Sequence, residues 1–205
     1  MDITLIGASG GTGRQAVARA LAAGHRVTAV VRRPDVIEPA DRLRVVVVPN
    51  LTVASNVDRV IAGSDAVISA LGPSVKGPTS VCTEGVRAVL AAMGRTGVRR
   101  LVAVSAYGAG ESRDRSLYSR LLWAAVAEKM RDKNGMEQLI RASDAEWTIV
   151  RPPALRNGHY TGSYRAGTDL KVRLTTRISR ADLADFLLCE AAAPAWVGQT
   201  PVIAA

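Results

Sequence analysis

A single-domain α/β fold built on a doubly wound parallel sheet is what this 205-residue chain predicts, and three observations carry the prediction. Short apolar, β-branched runs alternate with helix-like stretches, a glycine-rich turn joins the first run to the first helix, and no linker, repeat or low-complexity tract breaks the alternation. The runs at 3–6, 26–31, 44–48, 66–70 and 101–105 are apolar almost throughout. A strand with no polar face is buried on both sides, as in parallel sheets covered by helices. Helical stretches are expected at 14–23, 53–61 and 80–95, the last followed by Gly97 as a terminator. Because crossovers between parallel strands are right-handed, this alternation winds the helices onto both faces of one sheet.

The C-terminal half continues the pattern. Residues 117–143 read as a long helix with a break expected at Asn134-Gly135, and 147–150 as a sixth strand stopped by Pro152-Pro153. Residues 157–169, rich in Gly, Tyr and Thr, are expected to form a loop over the cleft, and about 152–180 a small substrate-side lobe of the single domain 1–205. Ser179 is placed to cap a helix running to about Ala192, and 200–203 to close as a strand.

Composition narrows the function classes. The formal net charge of +9 raises the question of nucleic acid, but Arg14, Arg19, Arg42, Arg59, Arg87, Arg131 and Arg180 fall in different elements and no basic block forms. The charge is read instead as drawing anionic small molecules into a positive cleft, with no specific nucleic-acid partner expected. Cys82 and Cys189 are far apart and join no Cys/His cluster, so buried free thiols, no metal and a reducing compartment are expected. No apolar stretch approaches a membrane span and no targeting segment is recognised, so the expectation is a cytoplasmic monomer or weak homodimer.

The turn Gly7-Ala8-Ser9-Gly10-Gly11-Thr12-Gly13 stands between strand and helix, spaced G-x-x-G-x-x-G. Glycines let main-chain amides approach phosphate oxygens, and the following helix start adds unpaired donors and a partial positive charge, so this is where a dinucleotide pyrophosphate docks in a Rossmann-type fold. After the second strand, where NAD-preferring sites place an Asp or Glu, the chain has Arg32-Arg33. A guanidinium can clamp a 2′-phosphate that a carboxylate would repel, which predicts NADPH over NADH. The alternative is a pair of arginines merely solvated at a strand end.

These features, with Ser69-Ala70-Leu71-Gly72, Val102-Ala103-Val104-Ser105-Ala106-Tyr107, Trp147-Thr148-Ile149-Val150-Arg151-Pro152-Pro153 and Ile178-Ser179-Arg180-Ala181-Asp182-Leu183-Ala184-Asp185, resemble the atypical short-chain dehydrogenase/reductases. Within them the chain is similar to the NmrA-like NAD(P)H-binding group to which the flavin reductases belong. The resemblance implies Ser9, Gly11 and Thr12 at the phosphates and Asn50 and Leu51 near adenine, where the family often has an acid. It further implies Ala70, Leu71 and Gly72 beside the nicotinamide-side ribose, Ser105 and Ala106 by the nicotinamide, and Pro152, Pro153, Ala154 and Leu155 along its carboxamide. Ala154 stands where the flavin reductases carry a histidine.

The Tyr-x-x-x-Lys pair with which many short-chain dehydrogenases pass a proton is missing: Leu122 follows Tyr118 at four residues, and Lys129 precedes Lys133. A flat conjugated acceptor such as a flavin, quinone or linear tetrapyrrole makes the smallest demand for such an acid, so an NADPH-dependent reductase of that substrate class is expected. Ser105 is the leading catalytic candidate, or else a structural strand-end hydroxyl; Lys133 is a second, or else an ordinary helix-surface lysine. Tyr107, Trp123 and Tyr160 are candidate substrate walls, or core aromatics. Arg156 and His159 are candidate polar substrate contacts, or solvated loop residues. Two other functions remain open: a non-catalytic NADP(H)-sensing regulator, and a tailoring reductase of an aromatic metabolite.

Overall fold

The computed structural model describes residues 1–51, 54–73 and 77–205. Six strands, β1 (Asp2–Ile6), β2 (Arg26–Val31), β3 (Leu43–Val47), β4 (Ala66–Ser69), β5 (Arg100–Val104) and β6 (Glu146–Val150), form one parallel sheet in the order β3-β2-β1-β4-β5-β6. Side chains alternate across a strand, and here the alternation sorts the core into two layers. Ile3 and Leu5 of β1, with Val102 and Val104 of β5, face one cluster, whereas Ile6, Leu101 and Ala103 face the other. The first cluster is closed by α1 (Gly11–Ala22) and α5 (Arg180–Ala192), the second by α2 (Ala54–Ile61), α3 (Val81–Thr96) and α4 (Leu117–Arg141). This is the expected Rossmann fold, in one domain. Val53, the expected first residue of the second helix, lies outside the described residues.

Helix ends follow local chemistry. Ser179 accepts from the Asp182 amide at 2.9 Å and its hydroxyl donates back to the Asp182 carboxylate at 2.7 Å, so α5 starts where the sequence expects. Ser116 caps α4 through the Ser119 amide, and Gly97, at φ 77°, ends α3. Asp132, on α4, caps α3 from outside by accepting from the Cys82 and Thr83 amides at 2.9 Å each.

Several expectations are corrected. The long helix breaks not at Asn134-Gly135 but at Val126 (φ −140°, ψ 37°). Gly135 serves instead for close packing, because a Cβ there would stand 2.8 Å from the Thr83 hydroxyl on α3. The segment expected as a loop over the cleft contains β8 (Arg165–Gly167), which pairs antiparallel with β10 (Val202–Ala204). Its earlier part is drawn onto α1 and α5: Asp182 accepts from the Thr161 and Gly162 amides, Tyr164 donates to Asp185, and Arg19, ion-paired with Asp185, lies over the Tyr160 ring. Two buried or half-buried carboxylates on α5 thus hold this part of the segment. Between them, β7 (Ala154–Arg156) and β9 (Arg177–Ser179) form a two-stranded parallel pair. Cys82 is buried, but Cys189 is exposed, because it lies on the outer side of α5. Among the described residues no group of His, Cys, Asp and Glu could hold a metal, and no helix is long and apolar enough to cross a membrane.

Candidate cofactor and active site

Strand order reverses between β1 and β4, and ligands of such sheets lie in the crevice at that reversal, beyond the carboxyl ends of the strands. A cleft of about 510 Å³ opens there. Its floor is the first turn: Gly7, at φ 81°, lies so close to β4 that a Cβ would meet the Ala70 carbonyl at 2.9 Å. A Cβ on Gly13 would fall 2.2 Å from the Gly7 carbonyl oxygen, so the turn closes only with hydrogen at that position.

The start of α1 suits an anion. Gly10 is the cap residue and offers no side-chain acceptor, and the first turn has no acidic residue. The leading amides of a helix have no partner within it, so here they and the helix dipole are left for a phosphate. This uncapped end, together with the glycine cradle, fits the pyrophosphate of a dinucleotide. A Gly13→Ala variant is expected to lose about 1–3 kcal/mol of stability and cofactor binding with it. Thermal unfolding and titration calorimetry check this, and a variant that melts and binds like the parent contradicts the cradle.

Ser9, Gly10, Arg32, Arg33, Asn50, Leu51, Ala70, Leu71 and Gly72 all line this one cleft, as the sequence grouped them. Arg32 and Arg33 are exposed at its outer end. Other residues that line or border the cleft were not expected there, among them two of α3 and one of α5. Glu84 and Gly85 of α3 line the cleft, and a Cβ on Gly85 would stand 2.5 Å from Leu71, so this glycine lets α3 close upon the site. Glu84 brings a carboxylate to the cleft whose β3 side carries Asn50 in place of an acid. Arg180 packs its guanidinium where a Gly11 Cβ would be, Nε at 2.8 Å, and is held there by Asn157 at 2.8 Å. Its only sequence signal was its place in the motif around Ser179, since the approach of α5 to α1 is purely tertiary.

The catalytic candidates are engaged internally. Lys133 is no surface lysine: it is buried, and its ammonium donates to the Val104 carbonyl at 2.6 Å and the Leu71 carbonyl at 2.9 Å. It thereby ties the ends of β4 and β5 together beneath the site. Ser105 is 4% exposed and donates to Glu137 at 2.5 Å, so its hydroxyl serves the core and is not presented to an acceptor. Glu137 also binds Arg151 through Nε at 3.1 Å, and Arg151 reaches Glu111 at 2.9 Å. The Arg151 guanidinium holds the Glu111 carboxyl down at about 2.

The expected substrate residues separate. Tyr107 is buried, not a wall of the cleft, and its hydroxyl donates to Asp114 at 3.0 Å. Burial pushes its phenol up, and does the same to Tyr118, whose ring meets it edge-on at 5.7 Å. Tyr160 lies over Arg19, on the α1 side. Arg156 and His159 are exposed. Ala106 accepts from the Ala109 amide in the turn leaving β5, and the Pro152 carbonyl accepts from Tyr107 at 2.9 Å, so 152–155 runs beside this turn. Trp123 donates to the Gly108 carbonyl at 2.9 Å in the same place.

Comparison with known proteins agrees with this fold. The family described as NAD(P)H-binding matches residues 7–194. The Bacillus subtilis protein YwnB is 29% identical over 93% of this chain and 92% of its own. ChuY of Escherichia coli O157:H7, named an anaerobilin reductase, superposes with a TM-score of 0.84 at 24% identity, covering 99% of this chain and 96% of that one. A short-chain dehydrogenase/reductase of Veillonella parvula in complex with NADP gives 0.82 at 15%, covering 98% and 93%. At these identities the two solved structures show the shared fold. The match over most of the chain shows that this protein belongs to the NAD(P)H-binding family of oxidoreductases.

Proposed function

We propose that the protein is an NADPH-dependent reductase of flat conjugated acceptors, the class that holds flavins, quinones and linear tetrapyrroles. The observation that carries this reading is the pair Arg32 and Arg33 in the same cleft as the uncapped glycine turn. The turn holds the pyrophosphate through main-chain amides, the arginines take the 2′-phosphate, and Arg180 adds a cation beside Gly11. When bound, the reduced nicotinamide supplies a hydride. The chain's own contribution is then orientation: Lys133 holds the strand ends under the site, and 152–155 flanks the turn that follows β5.

The substrate class is supported by the state of the polar candidates. Ser105 gives its hydroxyl proton to Glu137 and Lys133 gives two of its donors to main-chain carbonyls, so neither stands in place of the missing tyrosine. An acceptor that takes its proton from water is consistent with that. ChuY, whose named activity is reduction of anaerobilin, a tetrapyrrole, supports the same class.

Steady-state oxidation of NADPH against FMN, riboflavin, a quinone series and biliverdin tests the proposal. Turnover with at least one of them, and faster with NADPH than with NADH, is expected; no turnover with any defeats it. The engaged state of Ser105 and Lys133 also favours a second reading, an NADP(H)-sensing regulator. Tight binding without turnover, differing between oxidised and reduced cofactor, would select that one.

A further inference from the structure

A second depression, of about 470 Å³, lies beyond β5, walled by Arg113, Arg115, Arg120 and Trp123 with Asp114 and Ser119. It sits at the carboxyl end of the sheet, because Trp123 is hydrogen-bonded to Gly108 in the turn that follows β5, and Tyr107 of that turn is bonded to Pro152 after β6. The wall is built and not merely exposed. The indole is fixed by that bond, the Arg113 guanidinium stacks 3.8 Å over its ring, and Gly108, at φ 94°, lets Leu122 approach within 2.9 Å of where a Cβ would stand.

Charge in the depression is unbalanced. Among the described residues, Arg113, Arg115 and Arg120 take part in none of the ion pairs. The one acid of the wall, Asp114, is occupied by the Tyr107 hydroxyl at 3.0 Å and by Ser116, whose hydroxyl donates at 2.6 Å and amide at 3.2 Å. Three guanidinium groups sharing a depression with an indole suit a ligand that is flat and bears anionic arms, since guanidinium pairs bidentately with carboxylate or phosphate and the stacked Arg113–Trp123 pair presents a flat wall.

We infer that this depression takes the anionic side arms of the acceptor, so that the preferred substrates are flat conjugated molecules bearing carboxylate or phosphate and not neutral quinones or riboflavin. The inference rests on the reductase reading for the word acceptor, but the binding it describes is measurable without turnover. Arg115 and Arg120 are exposed, so replacing them leaves the core and the cofactor cleft alone.

The test is calorimetric titration of the NADP⁺-loaded protein with two matched pairs, biliverdin against its dimethyl ester and FMN against riboflavin. The charged member of at least one pair is expected to bind about 10-fold tighter or more, the difference one charge-assisted contact makes. In the Arg115→Gln, Arg120→Gln double variant, which keeps Arg113 on the indole, that difference should fall to about threefold or less, with neutral-ligand and NADP⁺ affinities kept within about twofold. Discrimination in the tetrapyrrole pair assigns carboxylate arms, and in the flavin pair a phosphate. Equal binding of charged and neutral members, equal losses for both in the variant, or no binding of any of the four overturns the inference. Absence of NADPH oxidation alongside clear charge discrimination would instead strike the reductase reading and leave this site standing.

Discussion

Replacing Arg32 and Arg33 together with alanine is expected to raise the dissociation constant for NADPH about 100-fold while leaving that for NADH within about threefold. The two cofactors differ only by the 2′-phosphate, so a group whose contact with the cofactor is confined to that phosphate moves one constant and not the other. Each exposed guanidinium–phosphate contact is worth roughly 1.5 kcal/mol, the low end for hydrogen bonds to charged groups, and two such contacts reach the roughly 2.8 kcal/mol that a 100-fold ratio requires. Because the side chains are exposed, the preference should shrink as salt rises and the screening length falls from about 10 Å at 0.1 M to about 3 Å at 1 M. Titration calorimetry with both nucleotides at two ionic strengths reads this directly. Equal weakening of NADH and NADPH would show that the arginines act on the part the cofactors share, and the assignment of the 2′-phosphate to them would be withdrawn.

Glu137→Leu is expected to destabilise the fold by as much as about 3–5 kcal/mol, because it takes the one buried carboxylate from Arg151 and leaves that guanidinium only the exposed Glu111 as an acidic partner. Arg151 and Glu137 are each 3% exposed, and Glu137 also accepts from Ser105, so one carboxylate serves two elements at the carboxyl end of the sheet. In a chain of this size that loss lowers Tm by about 6–20 °C. The double variant Glu137→Leu, Arg151→Met removes both charges and should recover most of the loss, since an apolar pair costs no more than a buried ion pair. Urea unfolding of the parent, both single variants and the double variant closes the cycle; additive losses would show that the pair is not coupled. The same network carries a pH signature. Glu111 is held at about 2, below its ordinary 4.5, by Arg151. A depressed carboxyl stabilises the folded state fully above its unfolded value and loses that contribution as pH falls, so stability from this contact should decline between about pH 4.5 and 2.

What the sequence makes legible is whatever is encoded within a few residues. Near-continuous apolar runs gave the six central strands in alternation with their helices, the Gly7 to Gly13 spacing marked the tight turn between β1 and α1, and Ser179 located the start of α5. That the residues after β1, β2, β3 and β4 share one cleft was legible from the motifs and the family resemblance together, because a parallel sheet brings the ends of its strands to one edge.

Sequence by itself determined the doubly wound architecture and the glycine turn to which we assign a dinucleotide. Tertiary structure decided which polar side chains are available to chemistry. Lys133 and Ser105 look alike from sequence whether they face the ligand or the core, and only the arrival of Val104, Leu71 and Glu137 from other elements shows that their hydrogen bonds are already made. Arg180 at Gly11, Glu84 in the cleft and the three arginines around Trp123 were invisible for the complementary reason. Strand and turn propensities act between neighbours in the chain, whereas a hydrogen bond or a charge cluster depends on which distant segments packing brings together.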